Sequence, residues 1–452
     1  MFKKILIANR GEIAVRIVRA AREMDIKTVV VYSEADRNMP AVRMADRAIF
    51  IGESPLNESY LNYQRILSAA LASGCEAVHP GYGLFAENVE FAEACIALGL
   101  KFIGPSPDVI RKMGDKTVAR ELMKKGGVQV VPGTDKAVEG KDLRRLSKDI
   151  GFPIIMKAAA GGGGKGMRIV HNEKDLIQTY SLAEEEARKG FGDSRIFLEK
   201  YISNVKHIEV QIVSDKYGNH VHLFERDCSL QRRHQKVVEE SPSLIFNENK
   251  RFELTKQALR VAKLAFYDSV GTIEFLYDPE KKEFYFIEMN TRIQVEHPVS
   301  EVITGIDLVK EQISIAAGNS LSFTQEEIKK AGHAIECRVN AEDPEKSFCP
   351  SPGRINKYWE PGGPGVRVDS GICSGLYVSP FYDSLLLKII TNGKNREEAL
   401  KKMKGALSEC IIDGISTNIC FLSKLLDNKE VLSGNYNTQT IANMINGERN
   451  GA

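Results

Sequence analysis

Between two short apolar strand patterns lies Gly161-Gly162-Gly163-Gly164-Lys165-Gly166, five glycines in six positions. Such a stretch lets backbone N–H groups turn toward an anion with no side chain in the way. Lys157, at the end of the preceding strand pattern, and Lys165, within the loop, add positive charge. A Walker A reading fails, because no Ser or Thr follows the lysine and Ala159 stands where the first glycine should be. A strand pattern (Met167 to Val170) follows, not a helix. The segment therefore reads as a flexible hairpin flap over phosphates. A floppy linker is the bland alternative, but linkers rarely sit between adjacent strands with lysines at both ends.

Upstream, strands at 3–9, 27–32, 77–78 and 101–103 alternate with helices at 12–23, 60–72 and 86–98. That order predicts a Rossmann-like parallel sheet covered on both faces. The first turn, Asn9-Arg10-Gly11-Glu12, has one glycine where a dinucleotide site needs three, which argues against NAD. The tight turn His79-Pro80-Gly81-Tyr82-Gly83 follows a short strand, where an α/β unit meets ligand or simply turns. Gly104-Pro105-Ser106-Pro107 breaks the alternation. From about residue 130 the pattern becomes α+β: strands at 154–157, 167–170, 195–198, 207–213 and 220–224, with helices at 174–188 and 249–266. Beyond 331 come a strand at 333–339, a Gly/Pro-rich stretch from Pro361 to Gly365, and a helix at 396–409.

Residues 272–290 form two alternating runs around a Pro/Lys turn. A turn centred near Lys281 sets Glu274 opposite Glu288, with Asn290 on the same face and Leu276 and Phe286 as an apolar floor. Two facing carboxylates repel unless a cation lies between them, and Mg²⁺ takes a few oxygen ligands plus phosphates. The two-residue spacing continues through Arg292, Gln294 and Glu296. Fully extended, that edge would span roughly 26 Å at about 3.3 Å per residue, so it must bend around its substrates. Glu296, beside Arg292, is a general-base candidate. In 225–240 a strand would point His234 and Lys236 to one side and Gln231 to the other, unless a bulge intervenes. His207 sits on the polar face of an alternating run.

With 62 basic against 60 acidic residues, the chain lacks the charge of a dedicated nucleic-acid binder. Ile5–Ala8 is too short for a signal peptide or membrane span. Eight cysteines without a CxxC or Cys/His cluster read as reduced, mostly buried thiols of a cytoplasmic protein with no structural zinc.

Taken together, IANRGEIAVRI, HPGYG, MGDK, KAAAGGGGKGMR, ERDCSLQRRHQKVVEE, FIEMNTRIQVEHPVSE and ECRVNAEDP closely resemble the biotin carboxylase family of the ATP-grasp superfamily. The resemblance implies three domains: 1–113, Rossmann-like; 114–330, ATP-grasp, with a mobile lid at about 130–202; and 331–452, a C-terminal α+β domain. It implies ATP contacts from Lys116, Lys157, Gly162, Gly163, Gly164, Lys165, Gly166, Met167, the hinge Glu199-Lys200-Tyr201-Ile202, His207, Gln231, His234 and Leu276. Glu274, Glu288 and Asn290 would hold Mg²⁺ or Mn²⁺. Lys236, Arg292, Gln294, Val295 and Glu296 would bind bicarbonate, Glu296 acting as base. Arg338 would stabilise the biotin enolate, and Tyr82 would contact biotin. The chain lacks an Ala-Met-Lys-Met type biotinylation hairpin, so the carrier protein and carboxyltransferase are expected to be other chains. A homodimer with Arg19 and Glu23 at its interface is implied; Pro364 departs from the aromatic residue many members carry there. Acetyl-CoA is the acceptor expected first, pyruvate next. A carbamoyl-phosphate synthetase-like ligase and a non-catalytic ATP-binding regulator are the rival readings.

Overall fold

The computed structural model describes residues 1–159 and 166–450. Its N-terminal unit is a five-stranded parallel sheet: β1 (Lys4–Ile7), β2 (Lys27–Ser33), β3 (Arg47–Gly52), β4 (Ala77–His79) and β5 (Lys101–Phe102), in the order β3-β2-β1-β4-β5. The sequence pattern predicts four of these and misses β3, whose flanking segments are short helical turns. The strand order reverses between β1 and β4, and the loops beyond their C-terminal ends form a crevice there. Asn9 pins the two loops together, its Nδ2 donating to Pro80 O at 2.6 Å and Tyr82 O at 2.8 Å. Gly81, at φ +64, lies against that amide; a Cβ would sit 2.8 Å from Asn9 Nδ2, so glycine is required.

A small three-stranded antiparallel sheet, β6 (Ile154–Ala158), β7 (Met167–Val170) and β8 (Ile196–Lys200), packs with helices Leu143–Ile150 and Leu176–Phe191 around its own core of Val138, Ile154, Met156 and Leu198. The glycine loop joins β6 to β7. Gly162, Gly163, Gly164 and Lys165 lie outside the described residues.

The larger sheet has eight antiparallel strands. β9 (Lys206–Ser214), β10 (His220–Arg232), β11 (Gln235–Ser241), β12 (Val270–Asp278), β13 (Glu283–Asn290) and β14 (His333–Asn340) run in the order β13-β12-β9-β10-β11-β14, and Leu385–Gly393 and Val366–Ser370 extend it. One face packs on helix Glu248–Ala265 through Val210, Ile212, Ile273 and Phe275. The opposite face carries the polar side chains of the site. The sheet runs unbroken from the middle of the chain into its C-terminal part through the β11–β14 pairing.

Two expectations are corrected here, the hairpin register and the place of His234. The hairpin turn lies at 279–282, and a bulge at Ile287 restores the Glu274–Glu288 pairing while shifting the rest, so Leu276 faces Tyr285. Phe286 instead enters the core beside Phe275. His234 is not on a strand. Arg233 and His234, at φ +50 and +66, form the tight turn between β10 and β11, which the sequence conceals because neither is glycine, Asn or Asp. The cysteines are mostly buried, as expected, with Cys349 and Cys420 exposed. No helix among the described residues is long and apolar enough to cross a membrane.

His79 is fully buried and accepts the Gly81 N–H at 3.1 Å on Nδ1. Burial, reinforced by Arg16, pushes its pKa down to about 3. A depressed histidine pKa stabilises the fold above the unfolded value of about 6.5 and loses that stability as pH falls. The loss for His79 should be about 2 kcal/mol between pH 7 and 5. Thermal melts should fall over that range, and less steeply in His79→Asn, which keeps an acceptor for Gly81. Identical slopes in the two proteins would show that His79 does not carry the effect.

Candidate active site

One cavity of about 2250 Å³ opens where the three sheets meet. The alternation of β9 sends His207, Glu209 and Gln211 to the cavity face of the large sheet. The strand registers then align Glu288, Glu274, Glu209 and Arg226 in one row across β13, β12, β9 and β10. Three carboxylates in a row repel one another unless cations are interleaved. Arg226, fully buried, supplies one. It donates to Glu209, to Gln211 Oε1 at 2.6 Å, to Gln294 Oε1 at 2.8 Å, to Thr272 at 3.0 Å and to Ser300 at 3.1 Å. Lys236 supplies the other. Its Nζ lies 2.5 Å from Glu209 Oε2, 2.6 Å from Glu296 Oε1 and 2.9 Å from Glu274 Oε1. A bulge at Val237 puts Lys236 on this face and pairs it with Gln231, so Gln231 and His234 line the same cavity.

β13 ends at Asn290, and the chain bends through Thr291–Val295 to Glu296, the residue just before helix His297–Thr304. The bend turns the two-residue alternation into a curve around Glu274, whose Oε1 accepts from both Asn290 and Gln294 at 2.9 Å. Glu296 does not pair with Arg292. Its partners are Lys236 and Arg338, the latter at 2.8 Å. Arg292 instead binds Glu87 at 2.7 Å and Asn290 Oδ1 at 3.0 Å, because the bend turns its side chain toward the N-terminal unit. Burial alone would raise the Glu296 carboxyl, but Lys236, Arg338 and Arg226 outweigh it and hold the group well below the ordinary range. Glu274 is held low in the same way by Lys236 and His207, the latter 3.1 Å away.

On the opposite wall, Lys157 of β6 and Glu199 of β8 pair at 2.5 Å, and Arg120 adds a contact to Glu199 at 3.3 Å. Met167, Lys200, Tyr201 and Ile202 line the same wall. The Gly166 carbonyl closes the β6–β7 pairing on Ala158. Lys116 stands 3.7 Å from Glu288. From the N-terminal crevice, Tyr82 enters and donates to Glu12, whose Oε1 lies 3.2 Å from the buried Lys388. Lys388 in turn donates to Val295 O at 2.7 Å and so fixes the bend.

The geometry thus brings to one cavity every described polar residue that the resemblance assigns to ATP, metal, bicarbonate or biotin. Sequence reasoning missed Glu209, Arg226, Glu87, Arg120 and Lys388. The alternation His207-Ile208-Glu209 held the signal for Glu209; the others become visible only through partners far away in the chain.

A small sheet capping a larger antiparallel one, over a cavity with lysines on one wall and metal-competent carboxylates on the other, defines an ATP-grasp ligase. Family models agree: "Biotin carboxylase, N-terminal domain" matches residues 1–110, "Carbamoyl-phosphate synthase L chain, ATP binding domain" 115–324, and "Biotin carboxylase C-terminal domain" 336–443. The chain is 52% identical over 440 residues to biotin carboxylase 1 of Bacillus subtilis, covering 97% of this chain and 98% of that protein. It is 50% identical over 442 residues to a pyruvate carboxylase subunit from Methanothermobacter thermautotrophicus, covering 98% and 90%. A crystal structure of the biotin carboxylase domain dimer of Hydrogenobacter thermophilus 2-oxoglutarate carboxylase, in complex with MgADP, ADP and bicarbonate, superposes with a TM-score of 0.94. Its identity is 49%, and the match covers 97% of each chain. The chain belongs to the biotin carboxylase family and is an ATP-dependent ligase that carboxylates biotin.

Proposed function

We propose that this chain carboxylates biotin on a separate carrier protein, through carboxyphosphate formed from ATP and bicarbonate, as the first half-reaction of an acetyl-CoA carboxylase. The carrying observation is the contact of Lys236, Glu296 and Arg338 beside the Glu274–Glu288 pair in one cavity. Lys116 and Lys157 would take the ATP phosphates, and Glu199 to Ile202, His207, Gln231, His234 and Leu276 the rest of the nucleotide. Bound Mg²⁺ would spread the charge of the transferring phosphoryl group; Glu274, Glu288 and the Asn290 amide oxygen fit it as an all-oxygen donor set on adjacent strands.

Lys236, Arg292, Gln294 and Val295 would hold bicarbonate against Glu296. Paired with Lys236 and Arg338, Glu296 is charged and a weak base. An anion that engages Lys236 and Arg292 draws the ammonium away from Glu296 and raises its proton affinity, so substrate binding itself readies the base. Glu296 takes the bicarbonate proton as a bicarbonate oxygen attacks the γ-phosphorus and the bond to ADP breaks, and carboxyphosphate then releases CO₂ and phosphate. The phosphate takes the ureido proton of biotin while Arg338 faces the enolate oxygen and Tyr82 the ring, and the ureido nitrogen then bonds to the CO₂ carbon to give carboxybiotin.

The direct test is phosphate release from ATP. Release should need bicarbonate and Mg²⁺ together and accelerate with free biotin; equal release without bicarbonate would sink the reading. Glu288→Gln should lower turnover by a few kcal/mol at limiting Mg²⁺ and recover partly at high Mg²⁺, and unchanged activity at low Mg²⁺ would remove Glu288 from the metal site.

A two-subunit pyruvate carboxylase is the second reading, favoured by the 50% identity to the Methanothermobacter pyruvate carboxylase subunit. Purifying the native complex and assaying acetyl-CoA against pyruvate decides between them. The further assignments are a cytoplasmic homodimer and domain boundaries near 113 and 330. Arg19 and Glu23 are both exposed on helix Gly11–Glu23, which is compatible with an interface there.

A further inference from the structure

Directly behind Arg338 lie two more buried carboxyls. Glu239 on β11 and Glu336 on β14 are partners in the antiparallel register, so both leave the same face of the sheet with Cβ atoms about 5 Å apart. Neither has any solvent exposure. Glu239 Oε1 accepts from Arg338, 2.6 Å from Nε. Its other oxygen and both oxygens of Glu336 have no hydrogen-bond partner among the described residues.

The cations nearby are committed elsewhere. Arg338 also binds Glu296 at 2.8 Å. Lys388, in register with Arg338 on the next strand, donates to Val295 O at 2.7 Å and lies 3.2 Å from Glu12 and 3.8 Å from Asp369. Three orphaned acceptor atoms on two facing buried acids would each cost about 1–3 kcal/mol, and two carboxylates this close cannot both ionise without a cation between them. One proton removes the charge conflict and pairs two of the three orphaned atoms, because a carboxylic acid is a donor where a carboxylate is not.

We propose that Glu336 is a neutral carboxylic acid donating its proton to the free oxygen of Glu239, and that this acid–carboxylate pair is the positioning element that fixes the Arg338 guanidinium for biotin. The second half rests on the role given above to Arg338. Burial pushes both carboxyls upward, more than Lys388 and Arg338 pull Glu336 down. With Glu336 neutral, Arg338 is oriented by one carboxylate behind it and Glu296 beside it, and its charge stays available to a developing oxyanion. An ionised Glu336 would add a second negative charge behind the guanidinium and draw it back from the substrate.

Infrared spectra of the full chain at pH 8 should show a protonated-carboxyl stretch that shifts in D₂O and disappears in Glu336→Gln. Absence of that band, or its persistence in Glu336→Gln, overturns the proton assignment whatever Arg338 does. Glu336→Ala, which leaves Glu239 without its donor, should lower kcat for biotin carboxylation about tenfold with the KM for ATP within about twofold. Glu336→Gln, which keeps an N–H donor, should restore most of that rate. A Gln variant as impaired as the Ala variant overturns the positioning role. Should Glu336→Ala fail to fold, the comparison of native and Glu336→Gln infrared spectra and rates still decides. A failure of the Arg338 reading is seen separately, in the paired assay of Arg338→Gln.

Discussion

Arg338→Gln should slow biotin carboxylation by about 10²–10³-fold while bicarbonate-dependent phosphate release without biotin stays within a few-fold of native. The guanidinium is permanently charged, and its bonds to Glu239 and Glu296 aim it into the cavity. Fixed charge facing a developing oxyanion in a site closed to bulk water contributes about 3–4 kcal/mol in comparable roles. The same substitution should spare the first step. Glu296 is held acidic by Lys236 first and Arg338 second, so losing Arg338 makes it a slightly better base while Lys236 still binds it. Glutamine also keeps one donor for the carboxylates left behind. The check is a pair of rates on one preparation: phosphate release without biotin and carboxybiotin formation with it. Equal loss of both would place Arg338 in the bicarbonate site or the fold rather than opposite biotin.

The division between what the sequence discloses and what it conceals follows the range of the interactions. The pairing of Glu274 with Glu288 is legible because both strands and their turn fall within one short segment, and side-chain alternation is a local property. The helix at 396–409 and the strand at 167–170 are legible for the same reason. Even locally, alternation fails at bulges. Ile287 and Val237 each shift a register without any glycine to announce it, and the left-handed residues Arg233 and His234 have no turn chemistry in their side chains. The hairpin reading reached the right Glu–Glu pair because the true turn lies half a residue from its assumed centre and the bulge compensates.

Arg226 marks the other limit. Beside Glu225 and Asp227 it reads as part of a solvated charged run, yet it is fully buried. Its five partners stand between 15 and 74 residues away, and only the strand order brings them together. The continuity of the large sheet into the C-terminal part is hidden for the same reason, since β11 and β14 are joined by pairing across the whole intervening segment. Motif resemblance singles out the cavity residues where local physics cannot, but not their partners: Glu296 with Arg338, and Arg292 with Glu87.

Lys236→Met should abolish measurable turnover and make the stability of the protein depend on Mg²⁺. One ammonium now touches Glu209, Glu274 and Glu296, all nearly or fully buried. Removing one partner of a buried ionic cluster leaves uncompensated charge and costs about 3–5 kcal/mol. The remaining groups cover only part of the loss: Arg226 contacts Glu209 but neither of the other two, Arg338 contacts Glu296 alone of the three, and Glu274 keeps only His207 as an ion-pair partner. Methionine keeps the length of the stem, so the effect isolates the charge. A divalent ion held by Glu274 and Glu288 would replace part of the missing positive charge. Binding to the folded state adds stability of RT ln(1 + [Mg²⁺]/Kd), about 2.7 kcal/mol at a hundredfold excess over Kd, and the affinity should rise because Glu274 no longer shares its oxygen with Lys236. Chemical denaturation with and without Mg²⁺ measures this directly: the midpoint of Lys236→Met should move upward with Mg²⁺ by more than that of the native chain. An equal shift in both proteins would mean that the metal and the lysine do not compete for Glu274, and that the cation site lies elsewhere in the cavity.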